Sequence, residues 1–221
     1  MKTMKHITHT IALLGLLLAL SVPAQAVISP FVRAGFDFSK LNGIQGLSSD
    51  ATWKDKLSGW DVGYFGEGGI TFFGSHTIAA EIGYMKAKAS LGTGTAGVES
   101  REQVPLLLNY RNSFNAGPVS LFLGVSAGMM SDKASWRQDI SGAAESWDKF
   151  SSGNWVGLYG ATGGLGFKFS KHWAFDFGVR VLAVNAKVFS DKLPDAETSY
   201  KIGKNEWLLR PNVRFALSAS W

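Results

Sequence analysis

Apolar and polar residues alternate with a period of two along most of the chain, in about eight segments of roughly ten residues, the length a tilted strand needs to cross a hydrocarbon layer. In the first, Val32, Ala34, Phe36 and Phe38 share one face and Arg33, Gly35 and Asp37 the other. The second sets Trp60, Val62, Tyr64, Ile70 and Phe72 against Asp61, Gly63, Glu67 and Thr71, and the third Ile78, Ala80, Ile82 and Tyr84 against Thr77, Glu81 and Gly83. Four more follow the same rule, centred on Leu106 to Tyr110, Leu121 to Met129, Tyr159 to Phe169 and Trp173 to Val181. The last runs from Leu209 to Trp221 with Arg210, Asn212, Arg214 and Ser218 on its polar face. Helical periodicity is nearly absent.

The connections alternate too. Those after the second, fourth and sixth segments are short, at Phe73-Gly74-Ser75-His76, Asn115-Ala116-Gly117-Pro118 and Ser170-Lys171-His172, whereas residues 39–58, 87–102, 131–154 and 185–206 read as long polar loops. Long connections outside and short ones toward the periplasm are the loop pattern of outer-membrane barrels. The expected fold is therefore all-β, an eight-stranded antiparallel transmembrane β-barrel with short periplasmic turns and long extracellular loops.

Export is written at the start of the chain. Lys2 and Lys5 precede an apolar run from Ile11 to Val22 and the small-residue site Ala24-Gln25-Ala26, so residues 1–26 read as a cleaved signal peptide and residues 27–221 as one barrel domain. The apolar run is about 12 residues, short of the roughly 20 that a spanning helix needs. No later stretch is long and apolar enough to cross as a helix, so insertion must use strands. Cysteine is absent, which removes disulfides and thiol chemistry. The formal charge of +5 falls to +3 when Lys2 and Lys5 leave with the signal, too mild to argue for nucleic acid.

Alternation alone leaves open whether the apolar face meets lipid or, as in a secreted lipocalin-like barrel, a ligand cavity. The polar face mixes Gly, Ser and Thr with charges of both signs, as a narrow lumen requires. Aromatics gather at the ends of the apolar faces, with Phe72, Tyr110, Phe169, Trp173 and Trp221 at one end and Trp60, Tyr84, Tyr159 and Trp207 at the other, as two membrane girdles would. The terminal strand alternates Val213, Phe215 and Leu217 up to a final aromatic, Trp221. It resembles the signal that the outer-membrane assembly machinery recognises, with Phe215, Leu217 and Trp221 as its apolar positions. Glu81-Ile82-Gly83-Tyr84, Gly163-Gly164-Leu165-Gly166-Phe167-Lys168 and Trp173-Ala174-Phe175-Asp176-Phe177-Gly178-Val179-Arg180 resemble the opacity-protein/OmpA-like family of small outer-membrane barrels. The resemblance covers essentially the whole mature chain. It implies the fold and a bacterial outer-membrane location, and it leaves the activity open, because such barrels differ widely in what they do.

Counting up from the short turns places Glu67, Glu81, Arg180 and Arg214 at similar heights on the inward face, with Arg33, Asp176 and Lys168 somewhat below. These seven are expected to form a salt-bridge network in the lumen, in which Glu67 and Glu81, flanking one hairpin, each need a cation. One reading is that the network plugs a narrow barrel. The other is that exchange of partners around Arg180 and Arg214 gates a narrow, low-conductance pore.

Enzymatic chemistry has little to stand on. Only His76 and His172 survive signal removal, both at short turns and neither with a Ser and carboxylate arrangement for nucleophilic catalysis. The carboxylates lack EF-hand spacing, and Gly163-Gly164-x-Gly166 lies in a strand pattern with no helix after it, so no metal or cofactor is expected. The long loops carry Trp53, Trp136, Trp147, Phe150, Phe189 and Tyr200, residue types that binding surfaces use, which points to adhesion or another extracellular partner. Lys86, Lys88 and Lys133 near the outer rim suit the phosphates of lipopolysaccharide.

Overall fold

A computed structural model of the chain describes residues 28–40, 60–88, 97–139, 147–186, 189–192, 199–202 and 206–221. The expected signal peptide and Trp53 lie outside the described residues. The strands are β1 (Ile28–Lys40), β2 (Trp60–Phe72), β3 (His76–Lys88), β4 (Gly97–Ala116), β5 (Val119–Asp139), β6 (Trp147–Lys168), β7 (Trp173–Ala186), β8 (Phe189–Lys192), β9 (Ser199–Ile202) and β10 (Glu206–Ser220).

Eight of them close into an antiparallel barrel in the order β1-β10-β7-β6-β5-β4-β3-β2, and β8 and β9 form a separate hairpin. Closure runs through β1 and β10, paired from Phe31↔Ser220 to Ser39↔Asn212, and Trp221 N donates to Pro30 O at 3.2 Å. A closed barrel leaves no edge whose amides and carbonyls lack partners, which is why strands can cross lipid only in this form.

The short turns are as the sequence predicts. Phe73 and Gly74 both take positive φ, 55° and 68°, which turns the chain through three residues between β2 and β3. His76, read as part of that turn, instead opens β3. The turn at Gly117 also uses positive φ, 64°, and Ser170 Oγ caps the third by accepting from the backbone of His172 and Trp173.

The long connections need correcting. β4, β5 and β6 have 20, 21 and 22 residues against 13 in β1 to β3. A strand of that length extends roughly 65–70 Å, well beyond the 9–11 residues that cross the hydrocarbon layer. Much of 87–102 and 131–154, expected as loop, is thus strand, paired as far as Gly97↔Arg137 and Asp139↔Trp147. The reason is that a ladder can continue into water with polar residues on both faces, where no alternation marks it. Trp136, expected on a loop, lies in β5 with its side chain fully buried at 0% exposure. Part of 185–206 likewise forms the β8–β9 hairpin. Trp147, Phe150, Phe189 and Tyr200 sit in strands, and their side chains lie outside the described residues.

The faces follow the alternation. Along β3, Ile78, Ala80, Ile82, Tyr84, Lys86 and Lys88 point out and Thr77, Ala79, Glu81, Gly83, Met85 and Ala87 point in, exposed and buried without interruption. The outer face carries a continuous apolar band that includes Val32, Tyr64, Ile82, Leu108, Leu123, Val125 and Val179. In water such a band would far exceed what a soluble monomer tolerates. Its ends are aromatic. Trp60, Tyr84, Trp155, Tyr159 and Trp207 stand toward the long-connection end and Phe114, Phe167, Phe169, Trp173 and Trp221 toward the short-turn end.

Inside, glycine permits the tight curvature. A methyl on Gly166 would lie 2.7 Å from Asp176 Oδ1, in space the lumen charges occupy.

Candidate functional site

Inward positions of six barrel strands, β1 to β4, β7 and β10, deliver a charged layer to the middle of the lumen. Its centre is a closed ring of four residues. Arg180 Nη2 meets Asp37 Oδ2 at 3.0 Å and Nη1 meets Glu81 Oε1 at 2.8 Å, while Arg214 Nε meets Asp37 Oδ1 at 2.7 Å and Nη2 meets Glu81 Oε2 at 3.0 Å. Asn109 Nδ2 adds a bond to Glu81 Oε2 at 2.8 Å. The Arg180 and Glu81 side chains are 1% and 0% exposed, so each charge depends on its partners rather than on water.

Nearer the short-turn end lies a chain of pairs. Arg33 contacts Glu67 at 2.8 Å and Asp176 at 2.9 Å, and Arg111 grips the same Asp176 through both terminal nitrogens at 2.9 and 3.3 Å. Glu67 and Glu81 are directly opposite in the β2–β3 register, and each has its own guanidinium. Phe65 stacks under Arg214 at 3.7 Å and Phe122 under Arg111 at 3.8 Å, so both cations also gain from the ring faces. Four arginines and four carboxylates balance.

Of the residues marked in the sequence, Arg33, Glu67, Glu81, Asp176, Arg180 and Arg214 come together. Lys168 does not. It ends β6 beside the turn, is exposed, and among the described residues has only Asn115 Oδ1 within reach of its ammonium, at 3.5 Å. Its inward parity is right, but a residue next to a short turn sits in the mouth of the barrel, below the charges it was expected to join. Asp37, Arg111 and Asn109 are the members that sequence reading missed. Arg111 stands six residues before Gly117, the same count that singled out Glu81. Asp37 has no turn on its strand's near side to count from.

A second feature closes the lumen toward the long connections. Leu107, Met130, Val156, Leu158, Leu182 and Val184 form a buried apolar cluster on the β4–β7 side. Beside it Arg101 holds Asp132 bidentately at 2.9 and 2.6 Å, Gln103 donates to Asp132 at 3.0 Å, and Arg210 donates to Gln103 Oε1 at 2.7 Å.

The cavities follow this layering. One of about 220 Å³ opens at the short-turn mouth, one of about 40 Å³ lies between the Asp176 pairs and Arg214, and one of about 20 Å³ lies between Arg180 and Arg210.

The histidines are engaged at the short-turn end. His76 Nδ1 lies 2.8 Å from Tyr110 Oη, its ring stacked on Phe72, and His172 Nδ1 lies 2.8 Å from Ser220 O. At the other end Lys86, Lys88 and Lys133 are exposed on the outer face, with Glu102 paired in register to both Lys86 and Lys133. Of the terminal positions, Leu217 and Trp221 are exposed on the lipid side and Phe215 is half-buried among Phe38, Phe175 and Phe177.

A family model described as outer membrane protein beta-barrel domain matches residues 12–215. Among solved structures, the chain is similar to Neisserial surface protein A at 11% identity, covering 89% of this chain and 99% of that one with a TM-score of 0.52. It is also similar to a major outer membrane protein from Thermus thermophilus at 10% identity, covering 88% and 100% with a TM-score of 0.53. At such identities the likeness is one of fold. No curated protein matches the chain in sequence.

Proposed function

The chain belongs to the outer membrane protein beta-barrel domain family, and we propose that within it this protein is a non-enzymatic barrel with a structural or surface-interaction role, adhesion or partner binding being carried by its extracellular end. The protein resides in the bacterial outer membrane, where the short turns of such barrels face the periplasm and the long connections face outward.

The observation that carries the reading is the double closure of the lumen, by the Asp37–Arg180–Glu81–Arg214 ring and by the apolar cluster around Leu158 and Leu182. A barrel sealed twice is a scaffold, and what varies in contact with the surroundings is the extended β4–β6 wall and the connections it bears. Lys133 on the outer face of this wall, with Lys86 and Lys88 on the neighbouring β3, sits at the level where lipopolysaccharide phosphates would lie, toward the end that also exposes Trp155 and Tyr84. Phe215, Leu217 and Trp221 serve as the assembly signal in this reading. Both histidines are held at the periplasmic end, away from the outer leaflet.

Two measurements test it. In planar bilayers, wild type and Glu67→Ala are expected to give no current above background, and discrete channel openings would favour the gated pore instead. Bacteria carrying wild type are expected to attach to protein- and glycan-coated surfaces better than bacteria whose segments 89–96 and 140–146 are replaced by Gly-Ser linkers. Equal attachment would remove the surface-interaction role.

A further inference from the structure

We propose that the vestibule at the periplasmic mouth is a binding site for a small soluble oxyanion of the phosphate or carboxylate class. The cavity is about 220 Å³, and since one water needs only about 10–15 Å³ it holds a cluster of waters or a compact solute. Its lining comes from inward positions of the strands, among them Arg33, Thr77, Ser113 and Lys168, so it belongs to the lumen and not to the lipid face, which favours a solute over a lipid headgroup.

The charges decide the sign of the ligand. At the floor, Arg33 and Arg111 share Asp176, and Glu67 supplies the second counter-charge, so that layer is neutral. Lys168 on the wall adds a cation that nothing offsets, because among the described residues no carboxylate lies within ion-pair distance of it. The vestibule therefore carries a net positive charge.

Hydrogen-bond donors converge on the same space. Ser113 Oγ accepts from Arg111 Nε at 3.1 Å, which leaves its own proton free to point into the cavity. Thr71 and Thr77 share one hydrogen bond at 3.1 Å, so one of their two protons is also free. Ser120 and Ser218 donate to backbone carbonyls of the wall and take no part. An ammonium and two hydroxyl protons around a space of this size are what an oxyanion takes and what a cation or an apolar solute does not.

The test uses the full mature chain, ¹⁵N-labelled and refolded in dodecyl maltoside micelles, which contain no phosphate. Inorganic phosphate or acetate, titrated against sodium chloride at matched ionic strength, is expected to give saturable shifts at the backbone amides of Thr77, Ser113 and Lys168. Lys168→Gln is expected to weaken that binding roughly tenfold, the scale of one charge-assisted hydrogen bond, and Ser113→Ala to weaken it a few-fold. Lys171→Gln, at the same end but outside the cavity, is expected to leave it unchanged. Equal shifts with chloride, or equal loss in Lys168→Gln and Lys171→Gln, would overturn the proposal.

Discussion

Toward the short-turn end the inward positions are mostly charged or hydroxylated and leave about 220 Å³ open, whereas toward the long connections the buried apolar cluster of Leu107, Met130, Val156, Leu158, Leu182 and Val184 stands beside the Arg101–Asp132 and Gln103–Arg210 pairs and a cavity of about 20 Å³. The same alternating strands supply both halves. The difference is in how each half is held. Ion pairs are directional, need complete partner sets and tolerate water beside them. Apolar side chains need only close packing, and exclude water where they meet. The lower half therefore specifies a single arrangement and keeps a vestibule, and the upper half seals.

Removing one member of the ring is the strongest way to break that contrast. Arg180→Met leaves Asp37 and Glu81 buried with Arg214 as their single remaining guanidinium, and is expected to cost about 3–5 kcal/mol. Urea unfolding of the refolded barrel, followed by its heat-modifiable gel migration, reads this directly. The double variant Arg180→Met, Glu81→Gln is expected to recover part of the loss, since it withdraws the orphaned charge. A single variant as stable as wild type would show that the ring does not hold the barrel.

In the upper half, Leu158→Ala is expected to cost about 2–4 kcal/mol through lost packing and the cavity left behind. Leu158 is 3% exposed and packs among the other five members of the cluster. No rescue by a polar second substitution is expected here, which separates packing from pairing. Between the two in kind stands Gly166→Ala. The new methyl would meet Ser120 Oγ at 2.5 Å and Asp176 Oδ1 at 2.7 Å, so the Asp176 pairs must shift, at an expected cost of about 1–3 kcal/mol. The same urea titration ranks it below Leu158→Ala.

The two halves were also unequally legible in the sequence. Where one face is charged and the other apolar, parity alone assigns each residue, and Arg33, Glu67, Glu81, Asp176, Arg180 and Arg214 could be read that way. Height was harder, because strands in a barrel are tilted and sheared, so equal counts from the turns do not mean equal levels. Asp37, on a strand with no short turn to count from, escapes such a count, and Lys168, inward by parity, sits too close to its turn to reach the charges. In the upper half the signal disappears. Val179 to Val184 is apolar on both faces apart from Arg180, and so is the run Leu106-Leu107-Leu108. An inward Leu there looks the same as an outward one, and the cluster becomes visible only once the barrel closes. The extended parts of β4 to β6 are illegible for the opposite reason, being largely polar on both faces apart from residues such as Ala134 and Trp136.

The outer face supplies the smallest effect and the control for the rest. Lys86 Nζ and Glu102 Oε2 are 3.3 Å apart, as short as one of the lumen contacts, but the side chains are 39% and 33% exposed. In that setting water solvates each partner when the other is removed, so neither is orphaned. Lys86→Gln is expected to change unfolding stability by less than about 1 kcal/mol, and less still at high salt, where exposed charges are screened. If the pair stands instead at a phosphate-bearing lipid surface, Lys86→Gln is expected to weaken retention of the barrel on immobilised lipopolysaccharide while leaving the urea midpoint in place. The outer pair is only slightly longer than the ring pairs but far more exposed, so a large stability loss in Lys86→Gln would mean that burial does not set the worth of a pair in this barrel, and the contrast between ring and surface would collapse.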